Sequence, residues 1–127
     1  MPNTLNILML EDEPLVAFSL LNLVKEIEPT ATITRPLASV REAQEWLDTH
    51  PSPDLVLADI QLADGISLDV FAHRPLDCPI IFTTAYNEYA IRAFKLNSVD
   101  YLLKPIEKED LKASLDKFHL LQDKFKN

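Results

Sequence analysis

The feature that most constrains the fold is an alternation of short apolar runs with longer amphipathic stretches. Four predominantly apolar runs lie at Asn6–Leu10, Leu55–Ala58, Ile80–Phe82 and Tyr101–Leu103. Runs of this length are typical of strands buried on both faces, as in a parallel sheet that helices cover. A fifth run, Thr30–Arg35, is β-branched but half polar, which predicts a strand at the exposed edge of that sheet.

Helical patterns fill the gaps between these runs. Pro14–Glu28 opens with proline and repeats apolar residues along one face. Ser39 and Glu42 form a capping box that predicts a helix ending near His50, and Ile66–His73 has room for a short helix only. Two further helices are predicted. The first is capped by Asn87 and has Ala90, Ala93 and Phe94 on its apolar face, and the second spans Lys108–Phe125.

Five repeats of a strand followed by a helix predict an α/β fold with a doubly wound parallel sheet. Because the half-polar run comes second along the chain, the flavodoxin-like (βα)5 strand order 2-1-3-4-5 is favoured. The single glycine, Gly65, excludes the Rossmann fingerprint and the P-loop, since each needs several glycines. Any phosphate bound here must therefore be held without a glycine-rich loop.

Length and charge limit the class of protein further. The 127 residues are predicted to form a single domain, and one cysteine, Cys78, excludes an intrachain disulfide. The formal net charge of −8 repels phosphate backbones, so we expect no direct binding of nucleic acid. The sequence has no apolar run of about 18 residues and no signal peptide, which predicts a soluble cytoplasmic chain without membrane contact.

Polar residues follow the predicted strands at the sheet edge where open α/β folds bind ligands. These strand-end residues are Glu11, Asp12, Asp59, Thr83, Thr84 and Lys104. Neighbouring carboxylates repel one another unless a positive charge lies between them, and Mg²⁺ prefers such oxygens together with water and phosphate. A carboxylate here could take up a phosphoryl group covalently, while an ammonium and a hydroxyl stabilise its charge. A lone strand-end Asp is usually a helix cap or a solvated residue, but four such strand ends together are hard to explain as coincidence.

Four segments resemble the receiver domain of bacterial two-component response regulators. They are LMLEDEP at 8–14, LVLADIQLADG at 55–65, FTTAY at 82–86 and DYLLKP at 100–105. The resemblance covers essentially the whole chain and is greatest to receivers that precede a LytTR-type DNA-binding domain. It implies a signalling switch that a sensor histidine kinase phosphorylates, with no catalysis beyond self-phosphorylation and autodephosphorylation.

The resemblance also implies how the phosphoryl group is received. Asp59 matches the phosphoacceptor, and Mg²⁺ would be bound by Glu11, Asp12, Asp59 and the backbone carbonyl of Gln61. The acidic pair is Glu-Asp where Asp-Asp is commoner in the family, a change that should preserve metal binding. Lys104 matches the family's lysine, and its bond to the following proline is expected to be cis.

A second set of matching residues would convert phosphorylation into a signal. Thr84 matches the switch hydroxyl and, with Lys104, would contact the phosphoryl oxygens, whereas Thr83 is one residue too early. As Thr84 moves inward, Tyr101 would turn inward behind it. The surface formed by the fourth predicted helix, the fifth strand and the fifth helix would then change, and a homodimer through that surface is one expected consequence.

Two other functions stay open at this stage. A stand-alone receiver would act by protein contact alone, whereas a LytTR-type regulator would need a DNA-binding domain that this chain does not contain. A Mg²⁺-dependent phosphatase of the haloacid-dehalogenase type would also form an aspartyl phosphate. That class places a second Asp two residues after the nucleophile, where this sequence has Gln61.

Overall fold

A computed structural model of the protein describes residues 4–74, 78–86 and 98–125. Its centre is a sheet of five parallel strands, whose spatial order is β2-β1-β3-β4-β5. The strands are β1 (Asn6–Leu10), β2 (Thr32–Ile33), β3 (Leu55–Asp59), β4 (Ile80–Thr84) and β5 (Ser98–Leu103). The predicted fold class and strand order are confirmed, with the half-polar second strand at an edge.

The described residues also form four helices. They are α1 (Pro14–Ile27), α2 (Val40–Thr49), α3 (Ser67–His73) and the C-terminal helix (Lys108–Phe125). The predicted helix capped by Asn87, with Ala90, Ala93 and Phe94, lies outside the described residues. None of the four helices is both long enough and apolar enough to cross a membrane.

The sheet separates two apolar cores. One core packs α1 and the C-terminal helix on the sheet, and its buried side chains include Ile7, Met9, Leu57, Ile81 and Phe118. The other packs α2 and α3 on the opposite face, and its buried side chains include Leu8, Leu10, Ala58, Phe82 and Phe71. Because neighbouring residues of a strand point to opposite faces, each apolar run supplies both cores.

Two strands, β2 and β5, differ most in length from the predicted runs. β2 is limited to two residues, and just beyond it the Met9 amide donates to the Thr34 hydroxyl at 3.1 Å instead of to a backbone carbonyl. β5 begins at Ser98 and includes Asp100, whose carboxylate accepts a 2.6 Å hydrogen bond from the Ser114 hydroxyl. Burial alone would raise the pKa of Asp100, but hydrogen bonds from Ser114 and Tyr101 and the charge of Lys117 lower it. A charged residue is therefore accommodated within the strand.

The N-terminus of α2 is capped as its sequence predicts, with one change. The Ser39 hydroxyl accepts from the Glu42 amide at 3.0 Å. The Glu42 carboxylate accepts from the amide of Ala38 at 2.8 Å, one residue before the cap, instead of from the cap residue itself.

Between β3 and α3, an unpredicted hairpin pairs Gln61–Leu62 with Gly65–Ile66.

Candidate active site

Three charged residues from distant parts of the chain meet at the carboxyl end of the sheet. Lys104 Nζ donates to Glu11 Oε1 at 3.0 Å and to Asp59 Oδ2 at 3.1 Å. Both carboxylates are buried, and the lysine side chain is 17% exposed. In this structure the positive charge expected between the carboxylates is the Lys104 ammonium. We call Glu11, Asp59 and Lys104 the carboxylate cluster.

Burial changes the proton affinity of this cluster. It raises the pKa of Glu11 from 4.5 to about 7, and the nearby charge of Asp59 acts in the same direction. Lys104 and the Glu13 amide, which donates to Glu11 Oε2 at 3.1 Å, oppose that rise. Burial alone would lower the pKa of Lys104, but its hydrogen bonds to both carboxylates raise it above its usual value. The ammonium therefore stays charged at neutral pH, where Glu11 is partly protonated.

The acidic residues beside the cluster have the donor chemistry of a metal site. One oxygen from each of Glu11, Asp12 and Glu13 lies within 4.8 Å of the others. Carboxylate oxygens are the ligands that Mg²⁺ prefers in proteins, so this group fits that ion. Glu13 was not among the predicted ligands. Asp59 was among them, but it does not belong to this acidic group and is linked to Glu11 through Lys104.

Hydrogen bonds fix Asp59 from its own loop. The Gln61 amide donates to Asp59 Oδ1 at 3.3 Å. The buried Ser67 hydroxyl donates to the Asp59 carbonyl at 2.8 Å, and the Ser67 amide donates to the Ile60 carbonyl at 2.7 Å. Sequence reasoning missed Ser67, because its position at the start of α3 reads only as a helix start.

Thr84 and Tyr101 are linked through a residue that the sequence analysis did not identify. The Tyr86 amide donates to the buried Thr84 hydroxyl at 3.1 Å, and the Tyr101 hydroxyl donates to the Tyr86 carbonyl. We call Thr84, Tyr86 and Tyr101 the switch cluster. The Lys104 amide donates to the Thr84 carbonyl at 2.8 Å, and the Lys104–Pro105 bond is cis, as expected.

Thr83 is buried beside Asp59, and its hydroxyl forms no hydrogen bond with the part of the chain that the structure describes. It pairs with Asp59 in the parallel register of β3 and β4, so the two side chains share a face of the sheet. Among the described residues, its hydroxyl is the buried side-chain polar atom that has no hydrogen-bond partner. An orphaned hydroxyl of this kind lowers the stability of the fold.

The doubly wound parallel sheet defines the class of fold, and solved structures superimpose on this chain over most of its length. The response regulatory domain of mrkE from Klebsiella pneumoniae has a TM-score of 0.84 at 23% identity, covering 94% of this chain and 99% of that one. The receiver domain of PhyR from Erythrobacter litoralis has a TM-score of 0.75 at 29% identity, covering 93% and 92%. These similarities establish the fold.

The response regulator receiver domain family matches residues 7–116, and the chain belongs to that family. It is 35% identical to the sensory transduction protein LytT of Enterococcus faecalis, over 89% of this chain and 47% of that protein. It is 36% identical to LytR of Staphylococcus epidermidis, over 94% of this chain and 48% of that protein. The chain spans about half the length of these relatives. It is thus a LytT/LytR-like receiver, which is a signalling domain of a kind that uses Mg²⁺.

Proposed function

We propose that this chain is a phosphorylation-dependent switch that accepts a phosphoryl group on Asp59 from a sensor histidine kinase, in a Mg²⁺-dependent reaction. The observation that carries the proposal is the contact of Lys104 Nζ with Asp59 Oδ2 and Glu11 Oε1, at 3.1 and 3.0 Å. A buried carboxylate held beside a fixed cation, next to further acidic oxygens, is an arrangement suited to phosphoryl transfer.

The transfer exchanges one bond to phosphorus for another. An Asp59 carboxylate oxygen attacks phosphorus, the phosphorus–nitrogen bond of the kinase phosphohistidine breaks, and its electron pair returns to the departing imidazole. When Mg²⁺ is bound through Glu11, Asp12, Asp59 and the Gln61 carbonyl, it would neutralise charge on the phosphoryl oxygens. The Lys104 ammonium would do the same from the protein side, and the Gln61 amide would orient Asp59.

The switch cluster would convert the new charge into a change of surface. The Thr84 hydroxyl accepts a hydrogen bond from the Tyr86 amide and keeps its own proton for a phosphoryl oxygen. Movement of Thr84 toward that oxygen would weaken its hydrogen bond with the Tyr86 amide. The Tyr101 hydroxyl is hydrogen-bonded to the carbonyl of the same residue, Tyr86. Two pre-existing states would thereby change in population.

The surface expected to change is that of the fourth predicted helix, β5 and the C-terminal helix. At β5, Leu103 is 48% exposed and presents an apolar side chain for a partner or a second copy of the chain. The proposed output is transcription through a LytTR-type DNA-binding domain, because a relative named as a transcriptional regulatory protein, LytR of Staphylococcus aureus, is about twice as long as this chain. A receiver that acts by protein contact alone is the alternative output.

An exposed apolar patch on α1 is suited to contact the kinase. Leu15 and Phe18 are 83% and 64% exposed and border a common cleft, and contiguous exposed apolar patches often mark interaction sites. Phe18 borders one cleft together with Glu11 and Asp12, and Leu15 borders another together with Lys104. A phosphohistidine domain seated on this patch would bring its phosphoryl group to the carboxylate cluster.

Intact-mass analysis after incubation with Mg²⁺ and acetyl phosphate tests the proposal. The wild-type chain should gain one phosphoryl group, about 80 Da, and the Asp59→Asn variant should gain none. Asp54→Asn is the matched control, because Asp54 precedes the same strand at its opposite end, and it should be modified like the wild type. An adduct on Asp59→Asn, or none on the wild type from either acetyl phosphate or a phosphorylated kinase, would contradict the proposal.

A further inference from the structure

Main-chain hydrogen bonds join the two segments that carry the proposed metal ligands. The Leu37 amide donates to the Met9 carbonyl at 3.0 Å, and the Glu11 amide donates to the Leu37 carbonyl at 2.9 Å. The next residue, Ala38, accepts from the Ala63 amide at 3.1 Å. Two consecutive residues before α2 therefore connect the end of β1 to the hairpin that follows Asp59.

Asp64, at the tip of that hairpin, fastens the hairpin to α2. Its Oδ1 accepts from the Val40 amide at 2.6 Å, and its Oδ2 accepts from the Arg41 amide at 3.2 Å. These amides open the helix and have no partner within it. The Ser39 hydroxyl accepts from the Glu42 amide and the Glu42 carboxylate accepts from the Ala38 amide, so Asp64 supplies acceptors that these local residues do not. Its negative charge also lies at the favourable end of the helix dipole.

Close packing at Gly65 supports the same connection between the hairpin and α2. A Cβ atom on Gly65 would lie 3.4 Å from Val40 Cγ2, and the φ of Gly65 is 158°. Glycine adopts this backbone conformation more readily than other residues. Val40, in the first turn of α2, therefore lies next to Gly65 of the hairpin, in addition to the hydrogen bonds between the two segments.

We propose that Asp64 is a positioning residue for the metal site. By holding the hairpin on α2, it fixes the separation between Glu11 and the Gln61 carbonyl. Gln61 is the first residue of the hairpin and pairs with Ile66, so a restraint at the tip is transmitted to it. The inference rests on the proposed function, which assigns the Gln61 carbonyl to the metal.

Calorimetric titration with Mg²⁺ measures this role directly. Asp64→Ala should weaken Mg²⁺ binding about three- to tenfold, less than the roughly ten- to hundredfold loss typical of a group bonded directly to a metal ligand, because Asp64 acts on Gln61 through the hairpin. Asp64→Asn keeps one acceptor oxygen and should show a smaller loss. Asp54→Ala is the matched control, because the Asp54 carboxylate also accepts a hydrogen bond from a backbone amide distant in the sequence, that of Asn6, at 2.8 Å. Asp54 lies at the opposite edge of the sheet, so its removal should leave Mg²⁺ affinity unchanged.

Amide hydrogen exchange without Mg²⁺ separates positioning from simple capping. In Asp64→Ala, exchange should accelerate at Val40 and Arg41 and also at Gln61, whose side of the hairpin loses its restraint. Faster exchange confined to Val40 and Arg41, with wild-type Mg²⁺ affinity, would show that Asp64 only caps α2 and would overturn the inference. Failure of the wild-type chain to bind Mg²⁺ would instead overturn the proposed function, and this inference with it.

Discussion

The carboxylate cluster and the switch cluster lie at the same edge of the sheet, but they hold their polar groups in different ways. In the first, opposite charges touch one another while buried, as Lys104 does with Glu11 and Asp59. In the second, neutral hydroxyls form hydrogen bonds with the backbone of Tyr86, and Tyr86 is 48% exposed. Neutral hydrogen bonds contribute about 1 kcal/mol, whereas breaking a buried ion pair costs several times more. The difference teaches that the proposed chemistry would depend on a strongly held cluster and the proposed motion on a weakly held one.

Removing Lys104 should have the largest effect, because it leaves two buried carboxylates facing each other without a cation. We expect Lys104→Met to lower the free energy of unfolding by about 3–5 kcal/mol at alkaline pH. The measurement is urea denaturation in the presence of a metal chelator. The loss should be smaller at acidic pH, where Glu11 is protonated.

A double variant checks the origin of that loss. Adding Glu11→Gln to Lys104→Met removes one of the stranded charges and should restore part of the stability. If Lys104→Met alone lowered stability by less than about 1 kcal/mol, the two clusters would not differ in strength as the contacts indicate.

The raised pKa of Glu11 predicts the next largest effect, on the pH dependence of stability. Its pKa in the folded chain, about 7, lies above its usual 4.5, so the folded state binds the proton more tightly. This contribution is fully present below about pH 4.5 and is lost as the pH rises through about 7. The unfolding free energy of the wild type minus that of Glu11→Gln should therefore fall by up to about 3 kcal/mol over this range. A difference that stays constant with pH would contradict the prediction.

Thr83 offers a smaller effect of opposite sign. Thr83→Val keeps the shape of the side chain and removes the unpartnered hydroxyl, so it should raise the free energy of unfolding by about 1 kcal/mol. Thr83→Ser retains the hydroxyl and serves as the control in the same denaturation series. A loss of stability in Thr83→Val would mean that the hydroxyl has a partner in solution.

The smallest effect is expected in the switch cluster. Tyr101→Phe removes the hydroxyl that donates to the Tyr86 carbonyl and should lower stability by about 1 kcal/mol or less. Its rate of phosphorylation by acetyl phosphate should stay within about twofold of the wild type, because no group of the carboxylate cluster changes. A much slower reaction, followed by intact mass, would show that the two clusters act as one unit in the chemistry.

Local sequence patterns predict most of the fold, because buried parallel strands and amphipathic helices each have a characteristic periodicity. They place β1 and β3 almost to the residue. They miss the start of β5 because Asp100 looks like a loop residue until its partner Ser114, in the C-terminal helix, is known. The hairpin after β3 is also missed, since two-residue strands leave no pattern.

The candidate site is predicted where side chains act at strand ends, and missed where they act through distant backbone. The carboxyl ends of parallel strands lie at one edge, which brings Glu11, Asp59 and Lys104 together as expected. Asp64 and Ser67 bond to backbone groups elsewhere in the chain, and no local motif identifies such partners. The adjacent Asp-Gly, which reads as a turn, was the available signal for Asp64.

The link between β1 and the hairpin has a consequence for how this sequence can vary over evolution. Because Ala38 and Ala63 meet through peptide groups, the spacing of the proposed ligands does not depend on which side chains stand there. Both positions should tolerate drift among residues that fit, with proline as the exception, since each position donates its amide. The distance between the end of β1 and the hairpin is thus set by the backbone, and it should be retained when the amino acids at these positions are substituted.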